Sequence, residues 1–549
     1  MSERSSTKST GHEVVPQTDS SNEQNGRRSD VHSCGSGSRR TFLRGIVGTG
    51  VAGLGLATAM QATANPESEY GGNYDNVVNV ADAGADTSGS QSINPVLEDV
   101  RADNTLLVFP EGRYYMDEQF RFTGFDQFGM VGDGATLVPA NYHDFAGPQF
   151  RLFRLGVSYS PGGDLLFEGF DVDQTASDTG IRVIEANVSQ HLEVRDITID
   201  GEHDSGTWGP GMFAITDPNG HGTIERFRAP DGGLHADQTP NAGNIWRGPI
   251  GIEANTNVGE LEFIDCELGG FPDNGIYAIS EEGTVVVEGG RFANSNGANV
   301  RIGGQDSVIR DVSVVVDRTR SYDNSQRAVR LENADDIHVD NVDITITSPQ
   351  STSHAIAVMN TCRSSRIEET SVEISGDEVN HGVVVSPEAG DTHIVNSEIV
   401  HEAAGGYPLW IRDSTKDDRV LVELTEISGE AGVTNAGFQD GIRCGRDNCR
   451  FSHVSVDQPG RDGVDRNGLV VTADETTVYQ GTFRASQYPY VDQGNGNVFR
   501  NAHAESDNSS REGVRLYPDI DGPELRVNTI VNGIDDLGAT NVTDWQNST

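Results

Sequence analysis

The chain has 549 residues, of which 35% are hydrophobic and 7% aromatic. This length exceeds the needs of one ordinary globular domain, so it predicts several domains or one long repeat array, and the low apolar content argues against a single compact core. The formal net charge is −45, with the acidic residues spread along the sequence; such a surface excludes nucleic acid as a partner and is typical of proteins that stay solvated in high salt, where self-repulsion is screened.

The N-terminal segment predicts export from the cell. Residues 1–37 are polar and expected to be disordered. The next residues, Ser38-Arg39-Arg40-Thr41-Phe42-Leu43-Arg44, closely resemble the twin-arginine export signal, and the stretch 45–60 is too short and too mildly apolar for a stable membrane span. We therefore expect residues 1–64 to form a leader that is cleaved after Ala62-Thr63-Ala64, and the mature protein to act extracellularly or at the cell surface.

The remainder of the chain begins with an expected linker over residues 65–75. No later segment is apolar enough to cross a bilayer, so we do not expect an integral membrane protein. Cysteines occur at Cys266, Cys362, Cys444 and Cys449, and the last two are close enough in sequence to form a disulfide in an oxidising exterior. No Cys or His spacing matches a structural zinc site.

A short pattern recurs from residue 181 onward: a small or polar residue, then an apolar, a variable and an apolar residue. Most repeats begin 24 to 33 residues after the previous one. One longer step predicts an insertion at about 201–247, and another, between Leu469 and Val514, predicts an insertion or an unrecognised coil. The first apolar positions are Ile181, Met212, Ile252, Ile276, Val300, Val329, Ile356, Val383, Leu409, Ile442, Leu469 and Val514.

Further alternating apolar runs lie between these positions, for example Ile337-His338-Val339 and Val342-Asp343-Ile344-Thr345-Ile346. Alternation with period two marks half-buried strands, and no helical pattern separates them. Two or three strands in each repeat of this length predict an all-β solenoid, a right-handed parallel β-helix of about 11–13 coils over residues 76–520. A propeller would need about 40–45 residues per blade. Residues 521–549 form either a C-terminal cap or a polar tail.

Two segments upstream of the repeats carry a family resemblance. They are Val77-Val78-Asn79-Val80-Ala81-Asp82-Ala83-Gly84-Ala85 and Leu107-Val108-Phe109-Pro110-Glu111-Gly112-Arg113-Tyr114. Together with the repeats, they resemble the pectate-lyase superfamily of right-handed parallel β-helix proteins, here of the acidic, haloarchaeal type. The resemblance implies a pectin-lyase-like fold over roughly 76–520, with an N-terminal segment that covers the first coil, and an activity or binding function directed at polysaccharides.

The polygalacturonase active site of that superfamily is not carried over. Asn380-His381-Gly382 resembles its His-Gly element, and Asp273-Asn274-Gly275 faintly resembles its Asn-Thr-Asp element. The paired aspartates expected at the start of an intervening coil are missing, because Asp335-Asp336 follows its strand instead.

The repeat pattern predicts which side chains point outward. In each triplet the two apolar residues face the interior, so the middle residue faces solvent, and stacking the coils aligns these residues in one column. The predicted column contains Arg182, Phe213, Glu253, Tyr277, Arg301, Arg330, Ala357, Val384, Trp410, Arg443, Val470 and Arg515.

The centre of this column is the predicted functional groove. Arg301 and Arg330 should lie about 5 Å apart on adjacent coils, where their charges repel unless an anion or carboxylate sits between them. Tyr277 offers a flat surface for a sugar ring. The arginines either bind a polyanion or pair with surface acids such as Glu253 and Glu332, and both interpretations remain open.

The insertion at 201–247 is the second candidate region, because long loops on a solenoid overhang its groove. Its Trp208 and Trp246 are predicted to stack on sugars, together with Tyr277 and Trp410, while Arg182 is predicted to contact substrate. Its histidines, His203, His221 and His235, match no metal motif. The alternative interpretation is that the insertion packs its aromatic residues as a small core of its own.

Two classes of function follow. An enzyme would cleave an acidic extracellular polysaccharide. As a lyase it would neutralise the uronate carboxylate with Ca²⁺ or arginine and use Arg301 or Arg330 as a base; as a hydrolase it would use two carboxylates, for which Glu253 and Asp273 are the candidates. A non-catalytic surface protein would use the same solenoid to bind glycans or to adhere. No cofactor motif is evident, Ca²⁺ is the ion that a lyase would use, and the oligomeric state stays open.

Overall fold

The computed structural model describes residues 66–147, 150–241, 247–349, 353–433, 437, 439–461 and 464–548. The predicted leader and export signal therefore lie outside the described residues. The predicted linker contains a short α-helix, Pro66–Glu69, and a 3-10 turn, Gly71–Asn73. A second α-helix, Asn94–Val100, and a second 3-10 turn, Ala236–Gln238, complete the helical content of the described part.

The rest is a parallel β-solenoid of about 16 turns with three faces, which confirms the predicted right-handed parallel β-helix. The column face carries the outward column. Its strands are Phe120–Phe122, Arg151–Leu155, the start of Arg182–Asp200, Gly211–Ile215, Ile252–Glu253, Asn274–Ala278, Ala298–Gln305, Val329–Asp335, Ser353–Val358, Asn380–Val385, Leu409–Ser414, Asp440–Arg446, Asn467–Val471, Tyr490–Asp492, Val514–Leu516 and Ile534–Asp536.

The second and third faces follow the column face in each turn. The second contains Asn76–Asn79, Thr105–Phe109, Glu260–Ile264, Thr284–Glu288, Val308–Arg310, Ile337–Asp340, Ser364–Glu368, Asp391–Val395, Val420–Glu423, Arg450–Ser452, Thr477–Tyr479, Val498–Arg500, Glu524–Arg526 and Thr543–Trp545. The third contains Ser88–Ser92, Gly112–Met116, Glu267–Leu268, Arg291–Ala293, Ser313–Val316, Asp343–Ile346, Ser371–Ile374, Glu398–His401, Glu426–Ser428, Ser455–Gln458, Thr482–Ala485, His503–Ser506 and Thr529–Ile530. Gln127–Pro139, Gly162–Asp173, Arg182–Asp200 and His221–Ala229 bend across both.

The predicted number of coils, 11–13, is too low for two reasons. The short strand Tyr490–Asp492 is the coil hidden in the long step between Leu469 and Val514, and it pairs with both flanking strands. The turns before residue 181 have apolar-variable-apolar triplets of their own, in the column strands Phe120–Phe122 and Arg151–Leu155, which the predicted repeat did not include. Residues 521–549 contribute further paired strands, so the described part of this segment continues the solenoid.

The interior is one apolar column that extends from Val80 to Ile530. The corner between the second and third faces is tight, and a residue with positive φ occupies it in most turns. This backbone conformation favours Asn, Asp and Gly. The non-glycine residues at this corner include Asp196, Asp265, Asp311, Asn341, Glu369, Asn396, Leu424, His453, Gln480 and Asn501.

All four described cysteines are buried and their thiols are free. Cys444 and Cys449 face each other across a thiol hydrogen bond in the interior, and this bond lowers the pKa of Cys444 and raises that of Cys449. Their pairing as a disulfide in an oxidising exterior stays a prediction.

Two buried arginines link turns that are distant in sequence. Arg466 donates from Nη1 to the carbonyl of Gly432 at 2.7 Å and from Nη2 to the carbonyls of Gly406 and Asp440, each at 3.1 Å. Arg446 donates in the same way to Ser386 and Pro387. Each guanidinium therefore satisfies backbone acceptors from earlier turns that water cannot reach.

Replacing Arg466 with Met should lower the free energy of unfolding by about 3 kcal/mol or more, because the apolar side chain leaves buried carbonyls without donors. Denaturant unfolding in high salt measures this change. Arg500→Met, at an exposed position on the second face, is the control and should change little; equal stabilities of the two variants would contradict the linking role of Arg466.

The buried Asp492 predicts a pH-dependent stability. Burial is the main cause that raises the pKa of Asp492 from 3.8 to about 6. A carboxyl group with a raised folded-state pKa contributes stability below its unfolded pKa and loses it as the pH rises through the folded value. Asp492→Asn should therefore gain up to about 3 kcal/mol over wild type between pH 4 and pH 7. Urea unfolding across this range tests it, and a constant difference would refute it.

Candidate functional site

The register of the strands defines the outward column. From one end of the solenoid to the other it contains Arg121, Arg154, Glu185, Met212, Glu253, Tyr277, Arg301, Arg330, Ala357, Val384, Trp410, Arg443, Val470, Val491, Arg515 and Asp535. Tyr277, Arg301 and Arg330 are neighbours on successive turns, as predicted.

Two of the predicted column positions are wrong. Met212 pairs with Glu185 and Glu253, so these residues face outward, whereas Phe213 is fully buried in the interior. Arg182 lies at the start of its strand and is only 2% exposed. The reason is that a slip of one residue in a strand exchanges its two faces, and the apolar triplet by itself does not fix the register.

The chain's own Glu332 sits between the two central arginines. Arg330 donates from Nε to Glu332 Oε2 at 2.6 Å, and Arg301 pairs with the other carboxylate oxygen. Glu332 is two residues beyond Arg330 on the same strand, so both side chains share a face. The guanidinium carbon of Arg301 also lies 4.3 Å from the centre of the Tyr277 ring. Pairing with Glu332 therefore supplies the carboxylate that the column predicts between Arg301 and Arg330.

Asp273 lies on the loop just before the Tyr277 strand and is largely buried. Burial is the main cause that raises its pKa, and Glu253 adds to this effect, while Arg247, Arg301 and Arg330 oppose it. The Asn274 amide donates to Asp273 Oδ1 at 2.8 Å. Asp273 is thus a carboxyl group that retains its proton to higher pH than an ordinary aspartate, next to the arginine column.

Arg327 is a functional candidate that the repeat pattern did not indicate. It precedes the Arg330 strand and donates from Nη1 to the carbonyl of Gly297 at 3.3 Å. Burial, together with the positive charges of Arg330, Arg301 and Arg247, lowers the pKa of Arg327 to about 10. Its signal in the sequence is its place in a loop that leads into a column strand, the same place that Asp273 and Arg247 occupy.

A second group of charges adjoins this one. Glu185 pairs with Arg151 and accepts from Arg154 Nε at 2.8 Å. Arg182 reaches Glu253 from below, with its Nη2 3.1 Å from Glu253 Oε2. The Arg182 side chain is therefore buried beneath Glu253, where it orients that carboxylate, and Glu253 lies between Arg182 and the substrate that Arg182 was predicted to contact.

The two groups form one charged surface, here called the arginine cluster. It contains seven arginines, namely Arg151, Arg154, Arg182, Arg247, Arg301, Arg327 and Arg330, and four acids, namely Glu185, Glu253, Asp273 and Glu332. The cluster is positive in a chain whose net charge is −45. Its cations are all arginine, and lysine occurs only at Lys8 and Lys416 in the whole sequence.

The predicted tryptophans occupy different places. Trp208 is 46% exposed, and the guanidinium carbon of Arg182 lies 5.9 Å from its ring centre, so Trp208 borders the arginine cluster. Trp410 lies three turns beyond Arg330 in the column and packs against His381 and Tyr407. Trp246 lies outside the described residues.

The insertion uses its histidines in internal contacts. His203 is buried and shares a hydrogen bond with Thr207, and burial lowers its pKa to about 3. His235 lies 2.9 Å from the Asp323 carboxylate, while His221 belongs to the second face. Within the described ranges no group of three or more His, Cys, Asp or Glu side chains is arranged to hold a metal ion. Residues 201–247 contain the solenoid strands Gly211–Ile215 and His221–Ala229, so they are not one insertion; the residues beyond an ordinary turn lie in the loops before Gly211 and after Ala229.

No family model matches the chain, and no curated protein is significantly similar to it. Solved structures with a similar fold include a family 28 exopolygalacturonase of Yersinia enterocolitica (11% identity, TM-score 0.32, covering 86% of this chain and 78% of that one). They also include the Streptococcus pneumoniae surface adhesin PfbA (13%, 0.32, 77% and 92%) and an exopolygalacturonase of Thermotoga maritima (13%, 0.29, 67% and 94%). These similarities concern the β-helix fold alone. Among the described residues, none of the helices has the length and apolarity to span a bilayer.

Replacing Glu332 with Gln tests the electrostatics of the arginine cluster. Glu332 is 10% exposed, and its removal leaves two adjacent guanidiniums without their shared carboxylate, so we expect a loss of about 1–3 kcal/mol of stability. Added sulfate should restore more of this loss than chloride at equal ionic strength, because an oxyanion can replace the carboxylate. Thermal unfolding measures both effects.

The matched control is Glu288→Gln, which removes one acid of an exposed pair with Arg310 on the second face. Exposed ion pairs contribute little, so this variant should lose less than about 1 kcal/mol. Equal losses in the two variants, or no specific effect of sulfate on Glu332→Gln, would show that Glu332 is an ordinary surface acid.

Proposed function

We propose that the protein is a secreted carbohydrate-active enzyme that binds an acidic extracellular polysaccharide along the column face and hydrolyses it. The observation that carries this proposal is the arginine cluster, where a positive surface surrounds Asp273, a carboxyl group with a raised pKa, in an otherwise strongly acidic chain. An acidic surface repels polyanions, so a local excess of arginine is the feature that would allow one to bind.

Arginine also suits the chemistry of a uronate polymer. Its planar guanidinium forms two parallel hydrogen bonds with a carboxylate, which a lysine ammonium cannot do. Successive turns place column residues about 4.8 Å apart, so a long polymer lying along the column meets a regular series of side chains. High salt screens long-range attraction, and close bidentate contacts retain their strength under these conditions.

Asp273 is the proposed general acid. A carboxyl group whose pKa is raised by burial keeps its proton and can donate it to the oxygen of the leaving sugar, as hydrolysis of a glycosidic bond requires. Glu253, held by Arg182, is the proposed second carboxylate. Arg301 and Arg330 are proposed to bind the substrate carboxylate rather than to act as bases, because arginine is a poor base and both guanidiniums already pair with a carboxylate, that of Glu332.

Secretion is part of the proposal. It rests on the resemblance of Ser38–Arg44 to a twin-arginine signal, and the acidic composition supports a high-salt exterior. Ca²⁺ dependence belongs to the lyase alternative, in which the ion would neutralise the uronate carboxylate.

A non-catalytic glycan-binding protein is the second candidate. The ion pairs of Arg301 and Arg330 with Glu332 favour it, since they make these arginines a rigid recognition surface that needs no proton transfer.

Incubation of the purified protein with polygalacturonate, alginate and hyaluronan, with and without Ca²⁺, separates these functions. We expect new reducing ends without ultraviolet absorbance from unsaturated products. Asp273→Asn should lower kcat by about 10²–10⁴-fold, the usual contribution of a general acid. Wild-type activity should fall as the pH rises through the raised pKa of Asp273, which removes the catalytic proton.

Arg301→Ala and Arg330→Ala should mainly raise KM, while Arg500→Ala on the second face should leave both constants unchanged. Unsaturated products would show that the enzyme cleaves by elimination and not by hydrolysis. Binding without any product would establish the glycan-binding alternative. Full activity of Asp273→Asn would remove that residue from the mechanism.

A further inference from the structure

A pocket lies on the column face, toward the C-terminal end of the solenoid. It has a volume of about 190 Å³ and is lined by column residues of several turns, including Arg443, Val470, Val491 and Arg515. Arg443 is four turns beyond Arg330 in the column, which corresponds to about 19 Å at the spacing of parallel strands. The pocket is therefore separate from the arginine cluster but on the same face.

The exposed lining of this pocket is mostly polar and rests on an apolar base. Val470 and Val491 point outward from their strands, and with Tyr488 packed over them they form a base that is only 2–4% exposed. Arg515 stacks on the Tyr488 ring, with its guanidinium carbon 4.6 Å from the ring centre. The Tyr488 hydroxyl accepts from Arg511 and donates to Asp535, each at 3.2 Å, so the ring is held in place.

The remaining lining is polar and arranged for recognition. Asp440 accepts from the Asn467 amide at 2.9 Å, and its other oxygen lies 3.3 Å from Arg443 Nη1. The Asp440 side chain is 3% exposed whereas that of Arg443 is 32% exposed, so an incoming ligand meets the guanidinium first. Gln487 Oε1 is buried and has no hydrogen-bond partner among the described residues.

We infer that this pocket binds one sugar ring that carries a carboxylate. Several polar groups fixed on a rigid base suit a sugar, because they can orient its hydroxyl groups and its carboxylate. Arg443 and Arg515 are the partners of the carboxylate, while Asp440, Asn467 and Gln487 are the partners of the hydroxyl groups. A buried acceptor without a donor, such as Gln487 Oε1, is satisfied when a sugar hydroxyl enters.

The position of the pocket suggests that it binds a distant unit of the polymer that the arginine cluster binds, which rests on the proposed function. Between the two sites the column presents Ala357, Val384 and Trp410, an uncharged stretch with an aromatic ring at its end. Two linked sites raise the affinity for long chains over short ones through their effective concentration.

Titration calorimetry with D-galacturonate, D-glucuronate and D-mannuronate tests the pocket, with D-galactose as the neutral probe. We expect wild type to bind at least one uronate at two sites. Arg301→Ala/Arg330→Ala should keep the pocket site, and Arg443→Ala/Arg515→Ala should lose it, with affinity at that site at least 10-fold lower. Gln487→Leu is a conservative change that removes the unpartnered acceptor without removing a charge, so it should lower the affinity at that site in a variant that folds normally.

The inference would be overturned if wild type bound none of the three uronates, if Arg443→Ala/Arg515→Ala kept the stoichiometry of wild type, if Gln487→Leu kept the affinity of wild type, or if D-galactose bound as tightly. Arg500→Ala is the control and should bind as wild type does. A protein that cleaves no polymer yet keeps one uronate site in Arg301→Ala/Arg330→Ala would refute the proposed function and support the pocket.

Discussion

Every functional statement about this protein depends on the hydrogen bonding between parallel strands of successive turns. This pairing holds each turn in fixed register on the previous one, so that Glu253, Tyr277, Arg301 and Arg330 form one row although the chain travels 77 residues between the first and the last. The corners between the second and third faces need left-handed backbone conformations. In the loops that lead to the column face, the buried Arg466 donates to backbone carbonyls of earlier turns. Residues that recur at a fairly constant spacing in the sequence therefore form a row on successive turns of the solenoid.

The positive arginine cluster differs in charge from the rest of the chain, which is strongly acidic. A net charge of −45 keeps most of the surface negative, yet seven arginines lie together in the arginine cluster, where burial and mutual repulsion would destabilise them without internal acids. Glu185 and Glu332 supply those acids. The balance leaves Arg327 with a lowered pKa and Asp273 with a raised one. Burial is the main cause of both shifts, while the neighbouring arginines add to the shift of Arg327 and oppose that of Asp273.

The two sites on the column face differ in design. The arginine cluster is rich in charge and contains a carboxyl group suited to proton donation, so it is placed to act on a substrate. The C-terminal pocket places its polar groups on the buried base formed by Val470, Val491 and Tyr488, so it is suited to orient a ring. Trp410 stands between them in the same column. A solenoid can add such sites along its length because each turn contributes only one or two outward residues.

The sequence by itself determined the fold and the order of the central column, because period-two alternation and a repeat of fairly constant length follow directly from strands that bury one side. It also left two alternatives for the group between Arg301 and Arg330, namely a bound anion or an internal acid. Only the tertiary structure decided that Glu332 is that acid, that Phe213 faces inward and Arg182 is buried beneath Glu253, and that Arg247 and Arg327 join the cluster. The physical reason is that strand register and the course of the loops before each column strand are set by contacts between turns, which a local pattern of apolar residues does not encode.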